Sequence, residues 1–172
     1  MEFKLKQISK DSISEALKKV EQYRLLNEPR EAESICLDVL RVEPENHTAL
    51  VALLLSLTDQ ITSAMEGPGL ARAIEETRKV LPRLRTDYER AYYSGIICER
   101  RAKARLKQGG PRAGFVAYEG LCEAMNWYER AEAIRPEGDD LAIIRWNACA
   151  RLIMSSHEIR PELEDQVEPA LE

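Results

Sequence analysis

Apolar residues recur along this chain at spacings of three and four, the period of helices that bury one face. No segment sustains period-two alternation rich in β-branched residues, so strands are not expected. Breaks in the rhythm mark the elements. Ser12 with Glu15 has the form of a capping box, in which the serine accepts from a first-turn N–H. Pro29 suits the first turn of a second helix, and Pro44 stops that helix. Gly67, Pro68 and Gly69 read as a loop, as do Gly109, Gly110 and Pro111. Thr86 with Glu89 marks another helix start. Pro136 and Gly138 break the chain once more, with Asp139 placed to cap the last helix. The predicted helices are 12–26, 29–42, 47–62, 70–84, 87–107, 113–135 and 140–156.

Helices arriving in pairs prompt a search for repeats. Ala32, Cys36, Val39 and Pro44 share their spacing with Ala124, Tyr128, Ala131 and Pro136. A weaker copy, Ala73, Thr77, Val80 and Leu81, lies between them and has Arg85 where the proline would stand. The pattern resembles the second helix of the tetratricopeptide repeat, and Asn46 suits that family's inter-repeat turn. Tyr92, Tyr93, Ser94 and Gly95 resemble its first helix, where the glycine lets two helices approach closely. The other first helices lack that glycine and the family's Trp, but Tyr23 stands where the family has Tyr. Ala32 to Ala73 is 41 residues and Ala73 to Ala124 is 51. Against a period of about 34, these imply insertions of about 7 and 17, the first near Gly67 and the second near Gly109.

The resemblance implies an all-α fold. Antiparallel helix hairpins would stack as a short right-handed superhelix of about three repeats, closed by a capping helix at 140–156 that carries Trp146 and Leu152. Residues 1–11 would precede this domain of residues 12–156, and an acidic tail, 157–172, would follow it. First helices would line the concave side. Leu17, Val51 and Leu55 would look into it. If Gly95 faces the paired helix, Tyr92, Ile96, Arg100 and Lys103 form one stripe toward that side as well. Some members of the family clamp the carboxyl terminus of chaperones with Lys, Asn and Arg. Here Glu21 and Leu55 stand where asparagine would be wanted, so that activity does not carry over.

Composition narrows the picture. With two Phe and two Trp in 172 residues, the core has to be built from Leu, Ile, Val and Ala. Cys36, Cys98, Cys122 and Cys149 lack paired spacing and read as free, reduced thiols among apolar neighbours. Residues 1–10 carry charges throughout, and the longest apolar stretch, 49–57, is nine residues, too short to span a bilayer. A cytoplasmic location away from the membrane is the default expectation.

Candidate chemistry is sparse. His47 and His157 are far apart, with no nucleophile or carboxylate at a telling spacing, and His47 reads as a surface residue of an inter-repeat turn. The Gly109–Gly110 pair lacks the strand before it and the Gly-Lys-Ser/Thr after it that a phosphate loop needs. No catalytic residue, cofactor site or metal site is expected. Two features stand out instead. Eight of the nine residues at 49–57 are apolar, which fits a helix buried on nearly all sides or one whose stripe of Val51 and Leu55 meets a partner. Charge is uneven: residues 78–112 carry a net +8, between segments of −5 and −8. Arg100, Arg101, Lys103, Arg105 and Lys107 cannot share one helical face, so acidic neighbours would match part of this run. The expected function is a protein-interaction module or adaptor, not an enzyme, whose partner is a protein or peptide with an acidic segment. The alternative is a self-assembling homo-oligomer joined through 49–57 or 113–135. Nucleic acid is disfavoured because the whole chain is acidic.

Overall fold

A computed structural model describes residues 3–63 and 68–162, and every regular element in it is helical. A 3-10 turn, Lys10–Ser12, leads into α1 (Ile13–Leu25). Then come α2 (Pro29–Val42), α3 (His47–Ser63), α4 (Pro68–Val80), α5 (Asp87–Gln108), α6 (Ala113–Ala133) and α7 (Leu141–Ser155). All seven predicted helices are present. Residues 163–172 of the expected acidic tail, and Gly67 of the expected loop, lie outside the described residues.

Local chemistry explains most boundaries. Thr86 caps α5: its hydroxyl accepts from the Glu89 N–H at 3.1 Å while the Glu89 carboxylate accepts from the Thr86 N–H at 3.1 Å. Asn46 caps α3 by accepting from the Ala49 N–H at 3.0 Å. Asp139 accepts from the Leu141 N–H at 3.0 Å as α7 begins. Gly109 and Gly110 take φ of 75° and 98°, which ends α5 where a side chain would be strained.

Two expectations need correction. Ser12 forms no cap: the preceding 3-10 turn has already set it at φ −86°, ψ −8°, and its hydroxyl donates back to the Ser9 carbonyl at 2.8 Å. Pro68 and Gly69 belong to the first turn of α4, where proline is well tolerated. That helix also stops at Val80, ahead of its predicted end, because Pro82 disfavours helical geometry in Leu81 and the chain tightens into a 3-10 turn, Leu81–Arg83.

Side-by-side packing joins α1 to α2, α2 to α3, α3 to α4, α5 to α6 and α6 to α7, and α3 also neighbours both α1 and α5. The core has two main parts. One gathers α1, α2, α3, Val80 and Leu84, the other α5, α6, α7 and Ile159, and Tyr93 packs against both. The repeated spacing places its residues deepest. Ala32, Cys36, Val39, Ala73, Thr77, Ala124, Tyr128 and Ala131 are fully buried, and Val80 nearly so. Gly95 is the close approach: a β-carbon there would stand 2.7 Å from Tyr128 Cδ1. No residue of 49–57 is exposed, so this stretch is a central helix covered on nearly all sides. Its buried hydroxyls are satisfied within the helix, Ser56 donating to the Ala52 carbonyl and Thr58 to the Leu55 carbonyl, each at 2.8 Å.

Candidate functional site

Three stripes converge. On α1, Leu17, Glu21 and Arg24 follow one another at helical spacing. On α3 the series is Val51, Leu55, Asp59 and Thr62, and on α5 it is Tyr92, Ile96, Arg100 and Lys103. The stripes meet at a shared carboxylate. Arg24 Nε donates to Asp59 Oδ2 at 2.8 Å, and Arg100 Nη1 lies 3.0 Å from Asp59 Oδ1. Arg100 also reaches the Thr62 hydroxyl at 3.5 Å. A cavity of about 440 Å³ opens beside these groups, lined by Glu21, Arg24, Leu25 and Asn27 from the α1 side, Asp59, Thr62 and Ser63 from α3, and Arg100 from α5.

Two guanidinium groups face one carboxylate here, and Glu21 on the α1 wall brings the charges of the lining to two cations and two acids. Each arginine uses one nitrogen on Asp59. The planar fork therefore keeps further N–H donors at the cavity, the arrangement that grips carboxylate or phosphate oxygens. About a quarter of each arginine side chain, 24% and 28%, remains exposed. Thr62, Ser63 and Asn27 add neutral polar groups to the walls.

The expected site residues separate into distinct environments. Leu17 and Val51 are half-buried against the first core and Leu55 is half-buried, so the stripe is a support with only partial access. Tyr92 is half-buried, its ring centroid 6.0 Å from Tyr128 and 5.1 Å from Tyr93. Ile96 is closed inside the second core at 5% exposure, because α5 is flanked by both α3 and α6. Arg100 joins the Asp59 cluster, whereas Lys103 turns away to Glu99 at 2.5 Å. Acidic neighbours thus match part of the cationic run.

Spacing alone left Arg24 and Asp59 unremarked. Their signal was the continuation of the same stripes, seven residues beyond Leu17 and eight beyond Val51. Glu99 had no such signal. It is fully buried and accepts four bonds: from Lys103 at 2.5 Å, Tyr128 at 2.7 Å, and Arg145 at 2.5 and 3.1 Å. Burial pushes its carboxyl up, but the bonds from Lys103 and Tyr128 and the charge of Arg145 outweigh this, leaving it below the usual carboxylate range. Glu33 is the counterpart in the first half, tying α2 to α3 and α4. It accepts from Arg72 at 2.7 and 2.8 Å and from Gln60 at 2.6 Å, and the Arg72 bond holds it low as well.

His47 requires correction. It is half-buried, with Nε2 2.7 Å from Glu89 Oε1, so it links the start of α3 to the capping box of α5. All four cysteines are free, and burial pushes the thiols of Cys36, Cys98 and Cys149 up to about 12, which keeps them protonated. Among the described residues, no cluster of three or more His, Cys, Asp or Glu side chains could hold a metal ion, and no helix is long and apolar enough to cross a membrane. Fold and site together define an all-α protein with a polar cluster shared by three neighbouring helices. No family model, curated protein or solved structure matches the chain.

Proposed function

We propose that this chain is a partner-holding module of tetratricopeptide type that acts in the cytoplasm. In this reading the hairpins α1–α2, α3–α4 and α5–α6 are three repeats of a short right-handed superhelix, and α7 is its cap. A segment of another protein lies across α1, α3 and α5, with an acidic group beside Arg24 and Arg100. Leu55 and the edge of Tyr92 offer the apolar contact; Ile96 supports this face from below and Lys103 serves the interior. We propose no catalytic step, cofactor or metal. The observation that carries the reading is the Arg24–Asp59–Arg100 cluster, in which three helices distant in sequence present one polar, hydroxyl-lined cavity where two guanidinium groups keep further N–H donors.

The test is affinity capture from native lysate, with wild type beside the Arg24→Glu/Arg100→Glu double variant. Species held by wild type should be lost from the variant and released as salt rises, since exposed charge pairs are screened beyond about 8 Å at physiological ionic strength. The neutral Arg24→Gln/Arg100→Gln variant should lose the same species at a stability cost of about 1 kcal/mol, because partly exposed ion pairs contribute little, whereas the reversed pair adds repulsion against Asp59. An unchanged set of captured species together with a large loss of stability would make the cluster purely structural and remove the proposal.

A further inference from the structure

We propose that residues 163–172 of this same chain occupy an apolar cleft on the other side of the molecule, between α4, α5 and α6. The cleft encloses about 380 Å³ where the 13-residue α4 faces the longer α5–α6 hairpin. Ile61, Leu70, Ile74, Ala102, Val116 and Gly120 supply its apolar wall. Arg101 and Arg105 stand on its α5 edge and Glu119 and Glu123 on its α6 edge. Val116 is 40% exposed there, an apolar residue at the cleft left open to solvent.

Three observations select the occupant. The first is where the described chain leads. After α7 the chain is pinned by Ile159, buried in the second core, and by Arg160 over the Phe115 ring at 5.9 Å. Glu162 then pairs with Arg112 at the start of α6. Arg112 stands four residues before Val116, so Glu162, the last described residue, is tethered at the end of α6 that leads to the cleft. Ten extended residues reach up to ~33 Å, which exceeds the length of α6 along the cleft.

The second observation is pattern. In an extended segment Leu163, Val167, Pro169 and Leu171 share one side, with Asp165 as the exception, and Glu164, Gln166, Glu168 and Glu172 share the other. Pro169 suits an extended occupant and not a helical one. The third is charge. Segment 163–172 carries four acids and no cation. Among the described residues Arg101, Arg105 and Lys107 form no ion pair, whereas Arg100 and Lys103 of the same run do. The apolar side of the segment would enter the cleft while its acidic side meets the α5 edge. This contact is independent of the face made by α1, α3 and α5, so neither proposal depends on the other.

Methyl-resolved NMR on the full chain tests it. Methyl groups of Leu163, Val167 and Leu171 should show cross-relaxation to those of Val116 and Ile74, unchanged on dilution. Val116→Glu should move the resonances of 163–172 to the positions of a synthetic peptide of that sequence. Val167→Asp should reciprocally shift Ile74 and Val116, and it keeps the test open if Val116→Glu impairs folding. Wild-type resonances already at the peptide positions, with no cross-relaxation, would overturn the proposal. Cross-relaxation found only between differently labelled copies would overturn it too, since the occupant would then come from a second chain.

Discussion

Asp59 and Glu99 each sit between two cationic side chains, Arg24 and Arg100 for the first, Arg145 and Lys103 for the second. Their surroundings differ. Glu99 is fully buried and takes an additional hydrogen bond from Tyr128, whose ring fills the close approach beside Gly95. The Asp59 side chain is 17% exposed and opens on a cavity. A buried carboxylate has lost its water, so every oxygen must be satisfied by protein, and deleting its charge leaves the cations uncompensated. A partly exposed carboxylate shares its cations with solvent, and an anion can in principle take solvent's place. The same set of charges therefore locks α5 to α6 and α7 in one region and stays open to solvent in the other.

The sharpest break of this comparison is Glu99→Gln. It keeps the shape but removes the charge, and should cost about 3 kcal/mol, near 10 °C in melting temperature for a chain of this size. Urea denaturation followed by circular dichroism measures it. A cost below about 1 kcal/mol would mean that Arg145 and Lys103 are as well served by water, and the contrast with Asp59 would vanish.

Acid titration sharpens the same point with a smaller effect. Glu99 and Glu33 both lie below the ordinary 4.5 in the folded chain, while the unfolded chain protonates near 4.5. Their contribution should be complete above about pH 4.5 and drain away as pH falls through the depressed folded values. Urea midpoints taken between neutral pH and pH 3 should show this decline, and Glu99→Gln should flatten it. A decline equally steep in the variant would assign acid sensitivity elsewhere.

Asp59→Asn should have the smallest effect on stability, about 0.5 kcal/mol. It leaves two arginines with a neutral neighbour, so retention of acidic partners on an affinity column should rise relative to wild type. A stability loss matching that of Glu99→Gln would place both carboxylates in one structural class.

Much of the architecture was legible because it rests on local rules. The Thr86–Glu89 pair caps α5 as its spacing predicts, and the recurring Ala32, Ala73 and Ala124 series marks buried positions in three helices. The stripes of Leu17, Val51 and Tyr92 were legible too, since three- and four-residue spacing defines a helical face. Their outcome was not. Ile96 lies on the α5 stripe yet is buried, because α5 is flanked by two neighbours, and how many sides of a helix are covered is not written in its own period.

Helix content and the repeated alanine-marked positions of the deepest layer are properties of short windows, and the sequence alone determined them. Ser12 shows the limit even there, since a turn upstream of it displaced the cap. Charge partners were decided by tertiary structure. Arg24 and Asp59 are 35 residues apart, and Arg145 and Glu99 are 46 apart. A charged side chain reads the same in sequence whether it meets water, a neighbour on its own helix or a cation brought in by another helix. Packing chooses among these through burial and distance, which set the desolvation each charge suffers and the partner that repairs it.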